Sequence, residues 1–194
     1  SESGVPFDLL GPDEVRGRWP QFVVPTGVTC VYTPDSGIAH AARTVATLQM
    51  HAHMRGADLR DRTRVDRLLP DAGGVVVRTS GGDVRARRVV VAADAWTNEL
   101  LEPLGIRIPL EVMQEQVSYF APSEPEAFDR DRFPVWIWED EECFYGFPTY
   151  GEPTIKAARD LSNNLMEPED RTFVPSEERL AELSGVALPV EATC

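Results

Sequence analysis

The spacing of hydrophobic and polar residues changes along this chain, and the N-terminal part predicts two helices with a strand between them. Residues 12–18 open with a proline and two acids, which suit the unpaired N–H groups at the start of a helix. Residues 39–55 predict a second helix, which Gly56 closes in the C′ position. Between them, residues 26–32 predict a strand that stops at the turn 33–37.

Strand-like patterns follow in the middle of the chain. Residues 57–65 predict a mixed strand, and residues 74–79 and 84–88 predict a hairpin because the glycines of the turn between them accept positive φ. Residues 89–93, Val-Val-Val-Ala-Ala, are an uninterrupted apolar run. Such a run predicts a strand buried on both faces, as in a parallel sheet covered by helices. Residues 94–101 predict a short helix.

After Gly105 the pattern predicts strands with few helices between them. The predicted strands are residues 106–120, 135–138, 143–147 and 153–157. Partial alternation in these segments is typical of an antiparallel sheet with one covered face. The acidic run at 139–142 joins two of the strands. We interpret it as a hairpin tip in water rather than a metal-binding cluster, because nothing nearby supplies the loop of a calcium site.

Charge and composition exclude several classes of function. With 194 residues and 42% hydrophobic content, the chain is long enough to bury a core. Its net charge of −13 repels phosphate backbones and anionic lipids, so we expect no nucleic-acid partner. No apolar run approaches the roughly 18–20 residues that span a bilayer, and the first residues carry no leader signal. We therefore expect a soluble, cytoplasmic protein with no membrane partner.

The spacing of cysteines and histidines favours neither a disulfide nor a metal site. Cys30, Cys143 and Cys194 include no Cys-x-x-Cys pair, so reduced thiols are expected. His51 and His53 lie in the second predicted helix, where a separation of two residues turns their side chains roughly 200° apart. We therefore predict no bound metal.

One residue stands out by its rarity. Lys156 is the single lysine beside 18 arginines. A lysine ammonium is a compact charge on a flexible stem, whereas a guanidinium is broad and planar, so Lys156 is a candidate for a task that arginine performs poorly. The alternative is that one codon escaped a strong arginine bias, and composition leaves both interpretations open.

The order of short motifs along the chain resembles a known family. The motifs are Asp-Leu-Leu at 8–10, Arg-Trp-Pro at 18–20, Pro-Asp-Ser-Gly at 34–37, Thr-Arg-Val at 63–65, Val-Val-Val-Ala-Ala-x-Ala-Trp at 89–96, Ile-Pro-Leu at 108–110, and Phe-Tyr-Gly-Phe-Pro at 144–148 followed by a lysine. In number and order they are similar to those of the flavin-dependent amine oxidases of the monomeric sarcosine oxidase and N-methyltryptophan oxidase group. The resemblance extends over nearly the whole chain.

This resemblance implies a fold and a domain organisation. The expected class is α+β, with part of a Rossmann-like FAD-binding domain joined to an antiparallel-sheet substrate domain. Residues 1–33 would belong to the substrate domain, residues 34–104 to the FAD-binding domain, and residues 105–194 to the antiparallel-sheet substrate and catalytic domain. The chain has no Gly-x-Gly-x-x-Gly turn and ends at Cys194, so it is interpreted as a central fragment of such an enzyme.

The implied function is oxidation of an amine or amino acid, of the secondary amine or N-methyl amino acid type, by FAD. A hydride passes to the flavin and the electrons then pass to O₂, which gives hydrogen peroxide. The implied partners are a small amine substrate and O₂. The alternative, of a different class, is a truncated, flavin-free binding or assembly module without catalytic activity.

The resemblance also implies roles for particular residues. The family has a lysine near the flavin ring, linked to oxygen activation, eleven positions after the tyrosine of Tyr-Gly-Phe-Pro; here that tyrosine is Tyr145 and the lysine is Lys156. A fixed positive charge stabilises the superoxide anion formed when O₂ accepts an electron. Tyr145 would line the substrate cavity, although a sheet tyrosine that packs its ring and hydrates its hydroxyl is an equal alternative.

Further positions are implied for the cofactor. Val65 and the segment 92–96, with Ala93 and Trp96, correspond to chain that contacts the flavin cofactor. Cys194 is a candidate for covalent flavin attachment, and an ordinary thiol is the alternative.

Two positions depart from the family pattern. Asp94 stands where the family usually has glycine, and a carboxylate beside a dinucleotide would repel its phosphates. Asp160 stands where sarcosine oxidases have histidine, so a substrate other than sarcosine is expected.

Overall fold

The computed structural model describes residues 4–185, and contacts divide the chain into two units. The first unit contains Met113–Leu165 together with the described residues before Ala39 and after Asp170. The second contains Ala39–Val112 and Met166–Asp170. No helix in the described part of the chain has both the length and the apolar character needed to cross a membrane.

Antiparallel strands and short helices make up both units. In chain order, the elements of residues 4–185 are β1 (Asp8–Leu10), α1 (Pro12–Arg18), β2 (Cys30–Tyr32), α2 (Ala41–Met54), β3 (Val65–Asp71), β4 (Gly74–Thr79), β5 (Gly82–Ala86), α3 (Thr97–Leu101), β6 (Val117–Phe120), β7 (Trp136–Glu139), β8 (Cys143–Phe147), β9 (Ile155–Asp160) and α4 (Glu177–Gly185). Short 3₁₀ helices occupy Asp94–Trp96, Glu102–Leu104, Pro125–Phe128 and Pro168–Asp170.

The first unit is built on a four-stranded antiparallel sheet. Its strand order is β6-β9-β8-β7, so β9 lies between β6 and β8, and β1 pairs separately with β2. Apolar side chains from one face of this sheet pack with those of α1, α4 and the connecting loops. The buried core residues are Leu10, Val15, Phe22, Phe120, Phe128, Phe133, Phe144, Ile155, Ala157 and Leu183. Phe22 stacks on Phe133 with ring centroids 4.7 Å apart.

The second unit contains an antiparallel meander, β3-β4-β5. The β3–β4 turn is closed by Asp71, whose Oδ1 accepts a hydrogen bond of 2.8 Å from the N–H of Gly73. At Gly74, with φ +145°, an added Cβ would collide with the backbone carbonyl of Ala86, so only glycine fits at the start of β4. Leu68 of β3 is buried, and α3 contacts the same strand.

Most predicted elements are confirmed, and the α+β class is among them. Helix α1 occupies the predicted residues 12–18, α2 lies within the predicted 39–55, and β8 matches 143–147. The glycine-rich hairpin forms as β4 and β5, and the acidic run 139–142 forms the end of β7 and the tip between β7 and β8.

Two predicted strands are wrong and two others are shorter than expected. Of residues 26–32, only Cys30–Tyr32 form a strand. Residues 57–64 form turns and irregular chain with Arg62 at φ +48°, and β3 begins only at Val65. Residues 89–93 form no strand, and Val90 is 91% exposed. A strand requires a hydrogen-bonded neighbour, and no described strand lies beside this run. Of residues 106–120, only Val117–Phe120 pair in a sheet.

Candidate functional site

Strand register in the first unit brings the candidate residues onto one face of the four-stranded sheet. Because side chains alternate along a strand, and partners in register share a face, the pairs Phe147–Lys156, Tyr119–Lys156, Tyr145–Ala158 and Ile137–Tyr145 define that face. We call it the outward face. Its members are Val117, Tyr119, Ile137, Glu139, Cys143, Tyr145, Phe147, Lys156, Ala158 and Asp160.

The outward face carries large exposed side chains, in contrast to the core face. Ile137 is 71% exposed and Tyr119 is 65% exposed, although both are large side chains in regular strands. A surface of exposed aromatic and aliphatic groups is typical of a face that meets a ligand or another surface. A separate cleft of about 390 Å³ is lined by Pro20–Val23 and the 3₁₀ helix Pro125–Phe128, and it includes neither Tyr145 nor Lys156.

Lys156 lies in the middle of the outward face, on the central strand β9. It is opposite Phe147 of β8 on one side and Tyr119 of β6 on the other. Its Nζ lies 4.7 Å from the centroid of the Phe147 ring, which is cation–π distance. The lysine is partly buried, so its ammonium has a defined position beside an aromatic ring.

Tyr145 is a diagonal neighbour of Lys156 on the same face. Its register partner is Ala158, two residues after the lysine, and diagonal pairs of this kind lie about 7–8 Å apart. Its ring meets Phe147 nearly at right angles, with centroids 6.0 Å apart. Burial, and secondarily the negative charges of Asp160 and Glu115, raise the pKa of the Tyr145 phenol. The hydroxyl is therefore neutral at physiological pH and can donate a hydrogen bond.

Asp160 lies at the exposed end of β9 and acts on its neighbours by charge. It is opposite Cys143 in the β8–β9 register. Burial, followed by the charges of Asp160 and Glu139, raises the pKa of the Cys143 thiol. The carboxylate that replaces the expected histidine thus makes this end of the outward face acidic.

Packing on the core face of the sheet explains why a glycine, Gly146, lies between Tyr145 and Phe147. It faces the core opposite Trp136, and a Cβ added there would come within 2.5 Å of Cζ2 and Nε1 of that indole. The Tyr-Gly-Phe sequence thus places an indole on the core face behind two aromatic rings of the outward face.

The cofactor candidates of the second unit lie in two segments. Val65 begins β3, pairs with Thr79 and is 37% exposed. Ala93 precedes the 3₁₀ helix, and Trp96 ends it with its Nε1–H donating a hydrogen bond of 2.9 Å to Oε1 of Glu169. The contact between α3 and β3 joins the two segments.

Asp94 adopts a backbone conformation that favours glycine. Its φ is +48°, in the left-handed region where a Cβ crowds the following carbonyl. This gives a physical reason for the glycine that the family resemblance implies at this position. The side chain is exposed.

The structure thus brings together some of the predicted site residues. Lys156 and Tyr145 share the outward face, Val65, Ala93 and Trp96 belong to the second unit, and Cys194 lies outside the described residues. Within residues 4–185, no three histidine, cysteine or acidic side chains are grouped to hold a metal. Sequence reasoning missed Phe147 and Tyr119. Phe147 lies two residues after Tyr145 in the same motif, and Tyr119 becomes a neighbour of Lys156 only through the β6–β9 register.

Comparison with known proteins identifies the family that the chain matches and the proteins that it is similar to. Residues 1–190 match the family described as FAD dependent oxidoreductase. The monomeric sarcosine oxidase of Bacillus sp. (strain B-0618) is 28% identical over 169 residues, which are 87% of this chain and 43% of that protein. The N-methyl-L-tryptophan oxidase of Yersinia pestis (strain Pestoides F) is 27% identical over 165 residues, or 84% of this chain and 43% of that protein.

Among solved structures, the open form of NikD, an unusual amino acid oxidase essential for nikkomycin biosynthesis, is similar with a TM-score of 0.78 and 28% identity. The match covers 95% of this chain and 48% of that chain. The chain therefore spans a little under half the length of the proteins that it matches.

Proposed function

The chain belongs to the family of FAD-dependent oxidoreductases, and from this we propose that the complete polypeptide that carries it oxidises a small amine or amino acid and passes the electrons to O₂. The proposed products include hydrogen peroxide. The sarcosine oxidase and N-methyl-L-tryptophan oxidase relatives support the substrate class. The observation that carries the proposal is that Lys156 and Tyr145 share one sheet face, which also carries the exposed side chains of Tyr119 and Ile137.

The outward face fits a flavin ring by its chemistry. An isoalloxazine ring is flat with an apolar dimethylbenzene end, and exposed side chains such as Tyr119 and Ile137 suit that part as a covering wall. We assign the first unit to the substrate and catalytic domain and the second unit to the FAD-binding domain. Val65, Ala93 and Trp96 are the proposed cofactor contacts, and covalent attachment at Cys194 and a cytoplasmic location stay predictions.

In this proposal FAD supplies the electron acceptor for the amine, and the residues of the chain bind, orient and stabilise charge. The neutral phenol of Tyr145 donates a hydrogen bond to substrate bound at the outward face. The ammonium of Lys156 stabilises the anion that forms when O₂ accepts an electron, because a positive charge already in place needs little reorganisation.

Lys156→Met tests this role because methionine keeps the length of the side chain and removes its charge. We expect anaerobic reduction of the flavin by substrate to stay within about twofold, and reoxidation by O₂ to slow roughly 100-fold, by analogy with loss of one charge-stabilising group. Stopped-flow absorbance measures each half-reaction, and a panel that includes sarcosine, N-methyl-L-tryptophan and glycine supplies the substrate.

Arg130→Met is the matched control. It removes one positive charge from an exposed side chain of the same unit, so both half-reactions should be unchanged. Equal slowing of both half-reactions in Lys156→Met would mean that the lysine positions substrate instead. Unchanged reoxidation would contradict the oxygen-activating role.

A flavin-free binding module is the second candidate. Residues 89–93 favour it, because no described strand pairs with them and Val90 is 91% exposed, so the segment that contains Ala93 is not part of a described sheet. The visible spectrum decides between the two functions. A flavin band in the purified protein supports the oxidase, and its retention after acid precipitation supports covalent attachment. A colourless protein that releases no peroxide with any amine of the panel supports the module.

A further inference from the structure

The position of Lys156 depends on an aromatic ring rather than on an acid. Lys156 and Phe147 are direct cross-strand partners, and Nζ lies over the ring at 4.7 Å from its centroid. The electron-rich face of an aromatic ring attracts a cation at this distance. Phe147 therefore supplies a contact that fixes where the ammonium lies on the outward face.

No carboxylate neutralises this ammonium among the described residues. The ion pairs within residues 4–185 are made by arginines, and none involves Lys156. Arg159, on the other face of the same strand, differs because it pairs with both Glu142 and Glu182. A carboxylate at contact distance would cancel most of the field of a cation, whereas a ring has no net charge. The ammonium is thus held without a paired carboxylate at contact distance.

The ring that receives the ammonium is itself fixed by Tyr145. The two rings meet at 85° with centroids 6.0 Å apart, an edge-to-face arrangement that aromatic pairs favour. Strand β8 adds a second restraint, since Tyr145 and Phe147 are two residues apart on one pleated strand. Tyr145, Phe147 and Lys156 therefore form a continuous set of contacts.

We infer that Phe147 is a positioning residue that holds the ammonium of Lys156 over the outward face without neutralising it, and that Tyr145 orients the Phe147 ring. The contact itself follows from the geometry of the sheet. Its consequence for oxygen reactivity rests on the proposed function, because it acts through the charge of Lys156.

Lysine labelling makes the contact directly measurable. In protein labelled with [¹³C]lysine, the side-chain Cε–Hε resonance of Lys156 is the one that Lys156→Met removes. Ring current from Phe147 should move this resonance upfield of a solvated lysine. Phe147→Leu should return it to the solvated position, and Phe147→Tyr should keep it upfield. Phe173→Leu is the matched control, since Phe173 is 86% exposed and receives Arg171 at 5.1 Å; the lysine resonance should not move.

The kinetic consequence is measured in the complete flavin-loaded polypeptide. Phe147→Leu should slow flavin reoxidation about fivefold, as expected for loss of one cation–π contact, and leave anaerobic reduction unchanged. Phe147→Tyr should restore the rate. In the Lys156→Met background, Phe147→Leu should add nothing to the loss, because the ring acts through the ammonium.

The two proposals fail in different ways. An unshifted wild-type lysine resonance overturns the positioning role whatever the kinetics. A full reoxidation rate in Phe147→Leu, with Lys156→Met slow, also overturns it and leaves the proposed function intact. Fast reoxidation in Lys156→Met rejects the oxygen-activating role, while an upfield resonance that depends on Phe147 still supports the contact.

Discussion

Replacing Gly146 with alanine should destabilise the four-stranded sheet from its core face. The added Cβ would lie 2.5 Å from Cζ2 and Nε1 of Trp136, about 1 Å closer than an ordinary contact between nonbonded atoms. The indole has little freedom to retreat, because it packs against the buried core and meets Phe22 edge-on with centroids 6.5 Å apart. Overpacking of this kind costs about 1–3 kcal/mol.

Urea unfolding, followed by far-ultraviolet circular dichroism and tryptophan fluorescence, measures this loss. The midpoint should fall without a change in slope. Gly17→Ala is the matched control, because Gly17 lies in α1 with no atom within 4 Å of its added Cβ; it should gain about 0.5–1 kcal/mol from helix propensity. Trp136→Phe should reduce the cost of Gly146→Ala by removing the overlapping ring. Equal midpoints for wild type and Gly146→Ala would contradict the predicted clash with Trp136.

Three further outcomes follow from the described geometry. Asp94→Gly should raise the free energy of unfolding by about 1 kcal/mol, because φ is +48° at that position and glycine adopts it freely; an unchanged or lower thermal midpoint contradicts this. The raised pKa of Tyr145 favours the neutral phenol in the folded state, so its contribution to stability is present below about pH 10 and is lost as pH rises through the folded-state pKa. Absorbance at 295 nm should place that ionisation above the usual range and, in Asp160→Asn, move it towards the usual value; no movement would remove the carboxylate as a cause. Cys143 should react with iodoacetamide more slowly than a solvated thiol at pH 8 and faster in Asp160→Asn, and equal rates would contradict its raised pKa.

Sequence patterns correctly predicted the elements whose hydrogen bonds join residues close together in the sequence. Helix α1 has its proline and acids in the first turn, and the β4–β5 hairpin has glycine at its turn. In each case the residues that determine the structure are those that form it. This is why the predicted and observed bounds of α1 agree.

Pairing between distant segments escaped the sequence patterns. Residues 89–93 have the composition of a buried strand, yet they lie beside no described strand and Val90 is exposed. Most of residues 57–64 are charged, and several of these charged side chains form local ion pairs, such as that between Arg60 and Asp58. The hydrophobicity of a segment indicates whether it can be buried, and the strands available to pair with it decide whether it becomes a strand.

The candidate site was partly predictable. Lys156 and Tyr145 emerged from family resemblance and from the rarity of lysine, and the structure places both on one face. Phe147 stands beside Tyr145 in the same motif, but its contact with Lys156 depends on the β8–β9 register, which no local pattern specifies. The role of Gly146 likewise depends on Trp136, ten residues away in sequence.

The β8–β9 register also changes the meaning of the eleven-residue interval between Tyr145 and Lys156. Part of that interval is the connection after β8, where Gly151 is exposed with open space around its Cβ position. A residue inserted there would lengthen the interval and leave the pairing of Phe147 with Lys156 intact. A residue inserted within β9 before the lysine would move the lysine side chain to the other face of the sheet and turn the ammonium towards the core. The functional constraint is therefore on which face of β9 the lysine side chain occupies, and the length of the loop before β9 is free to vary.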